Sequence, residues 1–286
     1  MNGLGKSTSA LVAFRRLCAL VLAAFLAACV VTPSAFAAKI PSPPVSVPSA
    51  TLMTMDGSPL WSRNPDAHRR VASTIKMLNA LVVRDRAKLD DVIVVTRKAE
   101  AINDGDVGLV AGQRLTVRQL LNIMLIPSAN DAAMALAIGI GGSEAKYVKL
   151  MNAKAKKLGL KSTHAADPDG LNKKETSTAN DLTVLARKVM ADPVLRSIVR
   201  QRSVSVPRTN GGHSTVHSTD LLLGHYKGME GTKTGFTNPA GYCFVGSAKR
   251  SGVELLGVVL GAKSNAGRFS EMRKLLDWGF ANYSAR

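Results

Sequence analysis

The chain has 286 residues, 46% of them apolar and 5% aromatic, a composition that builds a packed core and excludes a disordered or fibrous chain. Its 38 Lys and Arg against 20 Asp and Glu give a formal net charge of +18, which attracts anionic polymers without specificity. The basic residues are scattered, are not interleaved with aromatics, and show no zinc-ligand spacing, so nucleic acid is not expected as a partner, and acidic lipids, envelope phosphates and cell-wall carboxylates remain.

The first elements in chain order concern destination. Lys6, Arg15 and Arg16 precede an uncharged apolar run from Leu17 to Val31, and Ala35-Phe36-Ala37 supplies the small residues a signal peptidase reads. Residues 1–37 are therefore expected to be a removed secretory signal, placing the mature protein outside the cytoplasmic membrane, in the periplasm or cell envelope. Leu26-Ala27-Ala28-Cys29 supports a competing reading, lipidation of Cys29 as an anchor. No later stretch approaches the roughly 20 apolar residues that span a bilayer. With the signal removed only Cys243 remains, which excludes an internal disulfide and reads as a small core residue.

Residues 38–50, AKIPSPPVSVPSA, are rich in proline and serine and are expected to form an extended linker, leaving 51–286 as one catalytic domain. TLMTMDGSPLW alternates around Asp56-Gly57 and predicts a β-hairpin. A helix is expected from Ser73 to about Arg86, a second over LTVRQLLNIMLI that stops at Pro127, and a third over DAAMALAIGI. EAKYVKLMNAKAKKLG carries Val148, Met151, Ala155 and Leu158 at helical spacing with Gly159 as cap, and TANDLTVLARKVM carries a stripe of Leu182, Leu185, Ala186, Val189 and Met190. SVSVP, YCFVGSAKR and VELLGVVLGA read as strands, the last two joined by a Lys-Arg-Ser-Gly turn, and FSEMRKLLDWGF reads as a closing helix. A hairpin, a helical block, then a hairpin and a helix predict an α+β fold. Its antiparallel sheet is built from both chain ends, flanked by helices, and carries a helical subdomain.

The chemistry lies in spacing. Ser73 and Lys76 are three residues apart and share a helix face. A lysine among Val, Ile, Met and Leu is placed where burial lowers its pKa and lets it accept a serine proton. The spacing alone is weak, since Ser143 and Lys146 repeat it on a solvated helix start and Ser62-Arg63-Asn64 mimics a Ser-x-Asn motif. Singly, Lys76 could be an amphipathic residue reaching water, Asn130 a helix cap, and Lys233-Thr234-Gly235 an exposed turn. Required in order, Ser-x-x-Lys, Ser-x-Asn and Lys-Thr-Gly leave one solution: Ser73/Lys76, Ser128/Asn130 and Lys233/Thr234/Gly235.

With these motifs in order, and with PSANDAAMALA, GMEGTKTGFTNPAGYCFVGSAKR and FSEMRKLLDWGF around them, the chain resembles the serine-type D-alanyl-D-alanine carboxypeptidases. These are low-molecular-mass penicillin-binding proteins of the β-lactamase-like transpeptidase superfamily. The likeness runs from about Thr51 to Tyr283. It implies that Ser73 is the acylated nucleophile, Lys76 its base and Ser128 a proton relay. It further implies that Asn130, Lys233, Thr234 and Gly235 bind substrate, Asn130 also reaching Lys76 and Thr234 holding the terminal carboxylate. The backbone N–H groups of Ser73 and Phe236 would form the oxyanion hole. Lys233 is expected to supply the positive push on Lys76, and Gly235 to keep the substrate strand unobstructed. The implied partners are peptidoglycan stem peptides and β-lactam inhibitors, and no metal or other cofactor is expected. Such proteins often carry a further β-rich domain and a C-terminal amphipathic anchor, neither expected in a chain that reaches Arg286 just after its terminal helix.

Three features weigh on this reading. The middle motif is Ser-Ala-Asn, where β-lactamases have Ser-Asp-Asn, and Phe236 stands where carboxypeptidases often have histidine. His217 and Asp220 invite a Ser-His-Asp triad, but no Gly-x-Ser-x-Gly elbow exists and a surface histidine is the better reading. The alternatives are a D,D-endopeptidase with the same machinery, a β-lactamase using the acidic stretch Asp167-Pro168-Asp169-Gly170-Leu171-Asn172, and a non-catalytic penicillin- or peptidoglycan-binding protein. An aspartate in that stretch is expected to be a turn former.

Overall fold

Alternating apolar positions at the two ends of the chain meet in one sheet. The computed structural model describes residues 40–283, so the secretory reading of 1–37 and the lipidation reading of Cys29 lie outside the described residues. The strands are β1 (Ser49–Thr54), β2 (Pro59–Arg63), β7 (Met229–Thr237), β8 (Gly241–Arg250) and β9 (Val253–Ala262). They form an antiparallel five-stranded sheet in the order β2-β1-β9-β8-β7. The period of two sends Cys243, Val245, Leu256 and Val258 to one face and Phe244, Ala248, Leu255 and Val259 to the other. The second face is closed by the terminal helix Asn265–Asn282, which buries Phe269, Met272, Leu275 and Leu276 against it. The predicted α+β architecture is the observed one.

The first face carries the helical block. A 3₁₀ turn, Ala72–Ile75, leads into helix α1 (Lys76–Arg86), whose Met77, Leu78, Ala80, Val82 and Val83 are all buried. From Lys76 to Val83 every side of α1 is buried, which places it at the centre of the protein. Around it stand α2 (Arg97–Glu100), α3 (Val117–Leu125), α4 (Asn130–Gly141), α5 (Glu144–Lys157), α6 (Ala179–Ala191) and α7 (Pro193–Val199), and the terminal helix is α8. Helix α3 starts at a capping box in which Thr116 and Gln119 satisfy each other's backbone N–H groups. Helix α5 ends at Leu158, and Gly159 follows with φ of +73°.

Four expectations change. Residues 43–50 are not a free linker: Pro43, Val45, Val47 and Ser49 are buried in alternation, Ser46 N–H donates to Glu271 Oε2 at 2.5 Å, and β1 already begins at Ser49. The proline-rich composition sets an extended backbone, and the valines then dock it beside α8. In α5, Val148 and Leu158 are only half-buried, while Tyr147 is fully buried and donates its hydroxyl to Asn79 Oδ1 at 2.9 Å. SVSVP is β5 (Ser203–Pro207), but it pairs with β6 (His213–His217) in a separate two-stranded sheet. A second small hairpin, β3 (Val92–Val94) with β4 (Arg114–Thr116), has strands too short to show a period. Lastly, Lys233-Thr234-Gly235 is not the exposed turn that the tripeptide alone would allow: it lies buried in the middle of β7.

Candidate active site

The sharp turn that opens the central helix presents Ser73. Ala72 takes a positive φ of +48°, unusual for a residue with a Cβ, and Thr74 Oγ1 donates back to Val71 O at 2.8 Å. Two glycines let other segments press on this turn. A Cβ on Gly170 would stand 2.4 Å from Ala72 O, and one on Gly235 would stand 2.8 Å from Val71 O and 3.0 Å from Ser73 N. Gly235 is therefore needed for contact between β7 and the turn that carries Ser73.

The two residues between Ser73 and Lys76, Thr74 and Ile75, deliver the expected pair. Lys76 Nζ is fully buried and lies 3.1 Å from Ser73 Oγ, 2.6 Å from Ser128 O and 3.5 Å from Ser128 Oγ, with a further hydrogen bond to Asn130 Oδ1. An ammonium has three N–H donors and no acceptor, whereas a neutral amine has two donors and one lone pair. Ser128 O and Asn130 Oδ1 take two donors in either state. Once neutral, Lys76 thus has its lone pair left for Ser73, whose hydroxyl otherwise donates to Asp169 O at 3.2 Å.

Ser128 and Asn130 fall in the break between α3 and α4, with Ser128 at φ +69°. Asn130 is oriented from behind: its Nδ2 donates to Asp104 O at 2.6 Å and its N–H to Gly105 O at 2.9 Å. That loop is itself held twice. Asp131 Oδ2, buried, accepts the N–H groups of Val107 and Leu109 at 3.1 and 3.0 Å, and Arg208, just past β5, donates Nη1 to Val107 O and Nε to Ser214 Oγ at 2.9 Å.

Strand β7 forms the opposite wall. Thr234 Oγ1 lies 2.6 Å from Thr219 Oγ1, and Arg268 from α8 donates to Gly235 O at 3.0 Å. Ser73, Ser128, Asn130, Thr234, Gly235, Phe236, Thr219 and Arg268 together line a cleft of about 380 Å³, with Leu171, Asp104 and Asn238 at its margins. Lys76 and Lys233 lie under the wall and not on it. Lys233 Nζ donates to Thr234 O at 2.9 Å.

Burial, more than neighbouring charge, sets the protonation of this site. It lowers Lys76 to about 8, against the opposing pull of the Asp169, Asp167, Asp131 and Glu175 carboxyls. The expected push from Lys233 is not among the leading causes. Lys233 is itself held well below its ordinary value, first by burial and then by Lys76 and Arg268. Burial also raises Asp169, and raises Glu175 well above its ordinary value. Asp167 does what a turn former does: its carboxylate accepts the N–H groups of Asp169, Gly170 and Asn172.

The fold that carries this cleft is shared with known proteins. The family model described as D-alanyl-D-alanine carboxypeptidase, Peptidase S11, matches residues 37–264. The chain belongs to that family. It is 39% identical over 243 residues to D-alanyl-D-alanine carboxypeptidase DacB2 of Mycobacterium tuberculosis, covering 82% of this chain and 83% of that one. It is 31% identical over 242 residues to DacF of Bacillus subtilis, of whose length it spans 62%. The crystal structure of a D-alanyl-D-alanine carboxypeptidase from Mycobacterium tuberculosis superposes with a TM-score of 0.81 at 37% identity, covering 86% of this chain and 96% of that one.

Within the family fold, sequence reasoning missed Arg268, Thr219 and the loop at Asp104 and Gly105. Arg268 sits in an amphipathic helix like many arginines, and only its 7% exposure under the cleft sets it apart. Thr219 adjoins Asp220, which the triad idea singled out. Asp220 is buried and raised to about 6 by that burial, with Arg268 and Lys233 opposing, while His217 is exposed at the end of β6. No catalytic triad forms from them.

Proposed function

We propose that the protein is a serine-type D-alanyl-D-alanine carboxypeptidase that releases the terminal D-alanine of peptidoglycan stem peptides. The observation that carries this is the fully buried Lys76 amine, 3.1 Å from Ser73 Oγ, with two acceptors fixed so that its lone pair is left for the serine. Ser73 Oγ attacks the carbonyl of the penultimate D-alanine while Lys76 takes its proton. The Ser73 and Phe236 N–H groups stabilise the oxyanion, and Ser128 hands a proton to the departing amine. Water then cleaves the ester, which regenerates Ser73 and frees the shortened peptide. A β-lactam, whose ring amide imitates the scissile bond, acylates the same oxygen.

The Thr219–Thr234 hydroxyl pair with Arg268 favours carboxypeptidase over endopeptidase action, because hydroxyl donors beside a buried cation suit a free terminal carboxylate. A β-lactamase needs a carboxylate free to activate deacylating water, and Asp167 is occupied by three backbone N–H groups. Peptidoglycan as substrate agrees with the secretory reading of residues 1–37 and an extracytoplasmic location, with 38–286 as the mature chain. The test is release of D-alanine from an acyl-D-Ala-D-Ala peptide, together with intact mass after penicillin. A stable stoichiometric adduct with D-alanine release is expected. Rapid turnover of nitrocefin, or peptide binding without release, would overturn the assignment.

A further inference from the structure

The turn between β5 and β6 carries a reactive pair that the mechanism does not use. Asn210 and Gly211 stand exposed at its tip, and theirs is the one Asn-Gly step beyond residue 37. The Asn210 side chain folds back on the chain that follows, its Oδ1 accepting the Gly212 N–H at 3.0 Å. This Asx turn lays Cγ beside the Gly211 nitrogen, and the accepted bond draws electron density from that carbon. Gly211, at φ +81°, brings no Cβ to obstruct a ring closing through its nitrogen. Asn172 supplies the contrast: it makes the same turn on the Lys174 N–H at 3.0 Å and is also exposed, but Lys173 follows it.

The tip also bears on the cleft. Arg208 N–H donates to Gly212 O at 2.8 Å, so Arg208 and Asn210 share one turn. From that turn the Arg208 guanidinium reaches Val107 O and Ser214 Oγ, and thereby holds the loop whose Asp104 O and Gly105 O orient Asn130. A carboxylate at position 210 would compete with a neutral carbonyl for the same guanidinium, and a charged acceptor makes the stronger bond. We infer that Asn210 is a site of spontaneous modification, its side-chain amide converting to a carboxylate that draws Arg208 away from the loop behind Asn130.

The bond from Gly211 N–H to Arg208 O, 3.1 Å long, opens first. The Gly211 nitrogen then loses its proton and attacks Cγ of Asn210. A C–N bond forms, the bond to the amide nitrogen breaks, and ammonia leaves with the proton, closing a succinimide. One water opens that ring at either carbonyl and gives aspartate or, with the backbone one carbon longer, isoaspartate. Water is consumed, ammonia is released, and nothing is oxidised or reduced.

The full chain, incubated at mildly alkaline pH and mapped by peptide mass spectrometry, should gain acid at position 210 while Asn172 stays an amide. Conversion no faster at Asn210 than at Asn172 overturns the site. The consequence for the cleft rests on the function proposed above and is read by stopped-flow acylation with penicillin. Asn210→Asp should slow acylation roughly threefold, as partial loss of one hydrogen bond allows. Asn210→Gln, which keeps the amide and closes a ring poorly, should hold the parent rate through the incubation. In an Arg208→Ala background, Asn210→Asp should cause no further slowing, since the two act through one contact. A parent rate in Asn210→Asp, or equal slowing without Arg208, overturns the coupling. Failure of the parent chain to acylate overturns the reading of the cleft instead.

Discussion

The two faces of the five-stranded sheet are both packed with apolar residues, yet the layer covering one of them also buries a cluster of charged groups. The face under α8 is apolar, with Phe244, Leu255 and Val259 meeting Met272, Leu275 and Leu276. The face toward α1 buries Lys76, Lys233, Asp169 and Glu175 close together, with two residues at positive φ and two glycines under contact. Both faces supply stability, and the one toward α1 also holds groups in states that water would not permit.

Lys76→Met tests that division most severely. Acylation by fluorescent penicillin should fall by roughly 10²- to 10⁴-fold, the usual contribution of a positioned proton acceptor. The urea midpoint should drop less than in Leu275→Ala, because an apolar side chain removes a buried amine. A larger drop than in Leu275→Ala would mean that the charged face also carries stability. Leu275→Ala is the converse: about 2–5 kcal/mol of stability lost to an unfilled core, measured by denaturation, with the acylation rate of the folded protein retained. Gly170→Ala couples the two properties. Its Cβ would meet Ala72 O from a left-handed backbone, so about 1–3 kcal/mol of stability and a slower acylation should be lost together.

Smaller effects probe the shell behind the site. Arg208→Ala frees the loop that orients Asn130, and stopped-flow acylation should slow on the order of tenfold with little change in the melting midpoint, as loss of a charged hydrogen bond predicts. An unchanged rate would confine the β5–β6 hairpin to a scaffold role. The pH profile is the mildest test. Acylation should rise as pH climbs through about 8, where Lys76 becomes neutral. Over the window from there to 10.5 the unfolded chain holds the proton that the folded one has released, so this group makes stability rise with pH.

Much of the fold was legible because periodicity and burial coincide. The stripe of Leu182, Leu185, Ala186, Val189 and Met190 is buried as its spacing requires, and β8 and β9 carry the runs expected of a sheet covered on both faces. The site was legible through order: Ser73, Lys76, Ser128 and Asn130 do converge, and Thr234 faces them across the cleft. Arg268, Thr219 and the Asp131–Arg208 clamp were not, since each acts through a contact with a residue distant in the chain and carries no local signature. Nor could composition tell that Val45 and Val47 dock a segment that reads as a tether.

The amino-acid sequence by itself determined most of the elements, the family and the pairing of Ser73 with Lys76, because local spacing alone brings residues 73 and 76 together. Only the tertiary structure decided that Lys76 is stripped of water, that Lys233 lies behind the wall, and that the Nε of Arg69 is buried without a partner. Desolvation and orphaned donors are properties of an enclosure, and an enclosure exists only once distant segments have closed around it.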